Sequence, residues 1–149
     1  MKIQIISVGK LSGDIAALAA RYQKMLSWQI NDITLAHSKK NSESLVKLDE
    51  AKSIKARINK NAHLVVLDLS GKQYSSPNFS DIFAQNMMNG KDIDFIIGGA
   101  YGLDKSILEL ANTKLCLSAM TFPHQIAKLL LLEQIYRAET ILGNHPYHK

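Results

Sequence analysis

Three short segments carry residue types that could hold or act on a small ligand: residues 67–76 (LDLSGKQYSS), 96–104 (IIGGAYGLD) and 117–125 (LSAMTFPHQ). Gly98, Gly99 and Gly102 remove side chains where a ligand or a neighbouring backbone must come close, and they permit positive φ. A nucleotide is the obvious occupant. The spacing is G-G-x-x-G, not the G-x-G-x-x-G of the dinucleotide fingerprint, and no acidic residue follows about twenty positions on to hold a ribose. NAD is therefore disfavoured, and the absence of a G-x-x-x-x-G-K-[ST] loop argues against a triphosphate. Taken alone, the glycine cluster fits a tight turn as well as a cofactor loop. Leu67, Leu117, Met120 and Phe122 would line an apolar slot for a base, or simply belong to the core. Ser118 and Thr121 would bond a ligand, or cap the helix that starts beside them. His124 follows Pro123 at a helix start, where the positive end of the dipole would keep its imidazole neutral; acid–base work and a structural hydrogen bond are both open to it.

The elements that must position these residues follow from periodicity. Residues 2–8 (KIQIISV) read as a strand, and Ile15, Leu18, Ala19, Tyr22 and Leu26 recur at helical spacing. A second strand is predicted over 29–36, then a polar loop, then a helix over about 44–59 with Leu45, Leu48, Ala51, Ile54 and Ile58 as its apolar stripe. The run HLVVLDL (63–69) reads as a central strand covered on both faces. Phe79, Ile82, Phe83 and Met87 mark a helix ended by Asn89-Gly90. A fourth strand over 92–97, a helix from the N-cap Asp104 through Ala111, a fifth strand over 113–118 and a long helix from Pro123 to about Leu142 complete the series. Five alternations of strand and helix predict a single α/β domain over 1–149, its sheet mainly parallel with helices on both faces. Ligands of such sheets sit beyond the carboxyl ends of the strands, where the three segments should meet.

Composition narrows the class. Eighteen Lys and Arg against 13 Asp and Glu give a net charge of +5, which favours an anionic partner. Cys116 is the only cysteine, which excludes an intrachain disulfide and a Cys-rich metal site and fits a reducing cytoplasm; it reads as a small buried hydrophobe. The apolar stretch in MKIQIISVGK is too short for a signal-peptide core, and the apolar run 129–132 lies between Lys128 and Glu133, so neither a signal segment nor a membrane span is expected.

Read together, Gly98-Gly99-x-x-Gly102, LSAMTFPHQ, EQIYRA (133–138) and NHPYHK (144–149), with IISVGK near the start and LDLSGK in the middle, resemble the RlmH family. That family comprises the 23S rRNA pseudouridine N3-methyltransferases of the SPOUT superfamily, and the resemblance covers essentially the whole chain. It implies an α/β-knot, with the C-terminal segment threaded through a loop as a trefoil knot, and a homodimer. It implies S-adenosylmethionine as cofactor, held at Leu67, Gly98, Leu117, Ser118, Ala119, Met120, Thr121 and Phe122. Methyl transfer to an imide nitrogen needs positioning and a base, for which His124 and His148 are candidates. The resemblance brings the tail to the active site, with Tyr147 stacking on or hydrogen-bonding the target base and His148 and Lys149 meeting phosphate or assisting the proton. Arg137 would bind an RNA phosphate, or pair with Glu133 four residues earlier. Lys128 stands where relatives commonly carry Arg; as an RNA contact it keeps the charge and loses the planar fork. The lysines between Lys47 and Lys60 form a solvated face or help dock the ribosome. His37, His63 and His145 receive no role. No metal is implied, because the histidines lack ligand spacing on one element. With no separate RNA-binding module, recognition of 23S rRNA in the assembled ribosome is expected. Two other readings remain open: a SPOUT enzyme for another RNA, and a ribosome-binding factor without catalysis.

Overall fold

The computed structural model describes residues 1–149. The chain runs β1 (Lys2–Val8), α1 (Gly13–Met25), β2 (Gln29–Leu35), α2 (Glu43–Lys55), β3 (His63–Lys72), α3 (Ser76–Met88), β4 (Ile93–Ile97), α4 (Lys105–Leu108), β5 (Thr113–Leu115) and α5 (His124–Leu142). All five strands are parallel, in the order β2-β1-β4-β3-β5. Alternation along each strand splits the core in two. Ile3, Ile5, Val65, Ile93 and Phe95 pack with Ala19 of α1, Phe79 and Phe83 of α3, and Leu131, Leu132 and Ile135 of α5. Ile6, Val8, Leu64, Val66 and Ile96 face the other way, against Ala51 and Ile54 of α2 and Ile107 of α4. The α/β class with helices on both faces is as the sequence predicts.

Several boundaries differ for local reasons. The expected helix through Ala111 is the single turn α4, because Asn112 is drawn to β3, where its Oδ1 accepts from the Leu64 N–H at 2.7 Å. β5 stops at Leu115, not 118, as the chain turns away after the Cys116 N–H bonds the Lys72 carbonyl at 3.0 Å. β3 gains three residues: after an irregularity, Leu115 pairs with both Leu67 and Lys72. α2 ends at Lys55, and its buried positions are Val46, Glu50, Ala51 and Ile54. Leu45 and Leu48, expected on its inner stripe, are exposed. No helix is long and apolar enough to cross a membrane.

Candidate active site

The carboxyl ends of β3, β4 and β5 lie side by side, and their loops enclose a cavity of about 810 Å3. That is within the usual range for a small-molecule site. Seven of the eight positions that the resemblance gives to the cofactor, Leu67, Gly98, Leu117, Ser118, Met120, Thr121 and Phe122, line it; Ala119 lies in the same loop but outside the lining. Eleven of the 19 lining residues are hydrophobic, so the walls suit a flat apolar ring. The backbone N–H groups of Leu117, Ser118, Ala119, Thr121 and Phe122 have no partner within the chain, whereas that of Met120 is used by Ser118 Oγ at 3.1 Å. A loop rich in free N–H donors beside apolar walls fits the adenine and ribose of S-adenosylmethionine. Ser118 thus shapes the loop and does not cap α5, whose N-cap is Pro123.

The glycines serve the turn itself. The Gly102 N–H bonds the Gly99 carbonyl at 3.0 Å, and Gly102 has φ +77°, a conformation disfavoured for side-chain-bearing residues. A Cβ on Gly98 would lie 2.9 Å from Leu103 Cγ, and one on Gly99 would lie 2.9 Å from Glu50 Oε2. The tight turn is formed, and it makes one wall of the cavity.

His124 opens α5 at the edge of the cavity. Its Nε2 lies 3.4 Å from the Lys10 carbonyl, in the turn after β1, and Nδ1 has no partner within the chain. The tail does not hang free. Tyr147 packs edge-on to Tyr136 at 4.8 Å, lies under the Arg137 guanidinium at 4.9 Å, and donates to Glu133 Oε1 at 3.1 Å. Burial first, then Tyr22 and Glu133, push its phenol well above the ordinary range, so it stays protonated. Arg137 takes Glu133 Oε1 through Nε at 3.0 Å and Nη2 at 2.5 Å, and its Nη1 lies 3.3 Å from His148 Nδ1. Lys149 is exposed beyond it. None of these residues lines the cavity. Thirteen residues at 1.5 Å each separate His124 from Arg137, about 20 Å along α5.

A family model described as "Predicted SPOUT methyltransferase" matches residues 1–148. The chain belongs to the SPOUT methyltransferase family. It is 41% identical to the ribosomal RNA large subunit methyltransferase H of Ruminiclostridium cellulolyticum, aligned over all of both chains. A probable methylase family protein from Haemophilus influenzae shares the fold, with a TM-score of 0.57 over 99% of this chain and 70% of that one at 14% identity. The ribosomal RNA small subunit methyltransferase E of Neisseria gonorrhoeae, solved bound to S-adenosyl methionine, gives 0.54 over 95% and 66% at 10% identity.

Within this SPOUT domain one expected RNA contact is corrected. Lys128 is 1% exposed, and its ammonium donates to Ser7 Oγ at 2.9 Å and to Asp32 Oδ1 at 2.5 Å. A buried, paired cation is not presented to phosphate; it fastens the first turns of α5 to β1 and β2. Sequence reasoning also passed over His37 and Glu50. The His37 and His124 rings meet edge-to-face at 5.5 Å, and a Cβ on Gly9 (φ +96°) would lie 2.6 Å from Nε2 of each. Glu50, 6% exposed, accepts the Ser38 N–H at 3.1 Å, which holds the loop carrying His37. The spacing of Glu50 with Ala51 and Ile54 on α2 was the available signal for its burial. No three His, Cys, Asp or Glu side chains converge as metal ligands.

Proposed function

We propose that this SPOUT methyltransferase transfers a methyl group from S-adenosylmethionine to N3 of a pseudouridine in the 23S rRNA of assembled ribosomes, in the cytoplasm and as a homodimer. The observation that carries the reading is the apolar cavity rimmed by unpartnered backbone donors at the ends of β3, β4 and β5, in a chain 41% identical end to end to a large-subunit rRNA methyltransferase. Leu67, Leu117, Met120 and Phe122 would flank the cofactor's base, and the free N–H groups from Leu117 to Phe122 would bond its polar edges. The cofactor supplies a methyl group on a sulfonium centre, which an imide nitrogen attacks once its proton has gone. With the Nε2 proton of His124 directed at the Lys10 carbonyl, Nδ1 is left as the acceptor for that proton. Tyr147, whose one O–H proton is given to Glu133, would stack on the target base, or release Glu133 to hydrogen-bond it; His148, Arg137 and Lys149 would meet the RNA backbone. Because one chain's tail sits about 20 Å along α5 from His124, a second copy must bring it to the cavity.

The test is to incubate the protein with S-adenosylmethionine and ribosomes from a strain lacking the modification, then map the large-subunit rRNA by primer extension. Methylation on the pairing edge gives a new cofactor-dependent stop at a pseudouridine. Ribosome binding without a stop would identify a binding factor, and methylation of tRNA instead would overturn the substrate.

A further inference from the structure

Beside the cofactor cavity lies a second, polar cavity of about 440 Å3, lined by His37, Ser38, Lys39, Lys40, Asp49 and Glu50 among others. The two are separated by one pair of rings: His124 lines the first, His37 lines the second, and they touch edge-to-face over Gly9. We infer that this second cavity is a subsite for the backbone phosphate of a nucleotide next to the target base, held by His37, Lys39 and Lys40. The inference rests on the reading that the chain acts on rRNA, and it specifies where the strand runs after the target base enters beside His124.

Charge placement selects phosphate over other ligands. Both carboxylates in the cavity are turned onto the loop: Asp49 Oδ2 accepts from Ser38 Oγ at 2.7 Å, and Glu50 Oε1 accepts from the Ser38 N–H at 3.1 Å. The Lys40 N–H bonds Ser38 Oγ at 3.2 Å, so the loop is fastened through Ser38. Lys39 and Lys40, by contrast, are exposed and take part in none of the three ion pairs of the chain. The two acids thus hold the loop through Ser38, while Lys39 and Lys40, exposed and outside every ion pair, line the same cavity with His37. Such a lining suits a phosphodiester, whose neutralisation releases counterions and whose binding fixes position without reading sequence.

The experiment compares wild-type protein with Lys39→Ala/Lys40→Ala in equilibrium binding to ribosomes lacking the modification, across a range of salt concentrations, with methylation of the same ribosomes followed in parallel. The double variant is expected to bind more weakly and to flatten the slope of log binding constant against log salt by roughly 0.7 to 0.9, the value for one lost phosphate contact. KM for ribosomes should rise, while kcat at saturation and the affinity for S-adenosylmethionine stay unchanged. Lys2→Ala/Lys91→Ala, of equal charge but placed at the amino ends of β1 and β4, should leave the slope near that of wild type. A wild-type slope in the Lys39/Lys40 variant, or equal flattening by the control pair, overturns the subsite while the methyltransferase reading stands. Failure of the wild-type protein to methylate ribosomes overturns that reading itself, and the subsite with it.

Discussion

Lys128 and His124 are one turn apart on α5, and their environments assign them opposite work. His124 keeps one ring nitrogen at the cavity's edge, whereas Lys128 is inside the molecule with Ser7 and Asp32. A buried ammonium is tolerated only when paired, and removing it strands the partner carboxylate. Lys128→Ala should therefore lower stability by about 3 kcal/mol in urea denaturation, the lower end of the cost for a broken buried pair because the Asp32 side chain keeps 28% of its exposure. Lys128→Arg should keep most of the stability, and adding Asp32→Asn to Lys128→Ala should recover part of the loss. A Lys128→Ala protein as stable as wild type would show that the pair fastens nothing. The sequence could not reveal this role, since Ser7 and Asp32 lie 121 and 96 positions away. The apolar residues of the 117–122 loop were legible because the family pattern fixes them locally.

At the level of elements, the cavity depends on how far β3 runs past its neighbours. Gly71 marks the place: a Cβ there would lie 2.6 Å from the backbone carbonyl carbon and oxygen of Lys114 and 2.8 Å from that of Leu115. Backbone cannot step aside as a flexible side chain can, so Gly71→Ala must part β3 from β5. The expected result is a loss of roughly 2 kcal/mol together with weaker cofactor binding, because Leu67 and Leu117 line the cavity on either side of this pairing. Unaltered calorimetric affinity would show that the wall does not depend on it. The same two strands are linked at their start by His63 Nε2 and Thr113 Oγ1 at 2.8 Å. Burial first, and Lys91 second, lower the His63 pKa, so its contribution is complete above the unfolded value of about 6.5 and is lost as pH falls from there through the lowered folded value. Stability should decline below that pH, and less so in His63→Gln; parallel pH profiles would count against the assignment. The strand was readable from HLVVLDL, but its extension to Lys72 was not, because it is created by pairing across an irregularity with a strand some forty residues on.

For the whole molecule, the decisive fact is that residues a single mechanism would use are apart within one chain. The cavity and His124 lie at the start of α5, and Tyr147 and His148 are folded onto the Glu133–Arg137 stretch about 20 Å along it. A two-fold dimer would place each tail against the other subunit at no cost in chain length. If that is how the site is completed, two inactive variants must rescue each other. His124→Ala keeps a sound tail, and His148→Ala keeps a sound cavity. Each alone should lose methylation while binding S-adenosylmethionine nearly as well as wild type. Mixed in equal amounts and allowed to exchange subunits, they should regain about a quarter of wild-type activity, since half the dimers are mixed and each of these holds one complete site. Tails that served their own cavities would leave both sites of every mixed dimer defective, and no activity would return.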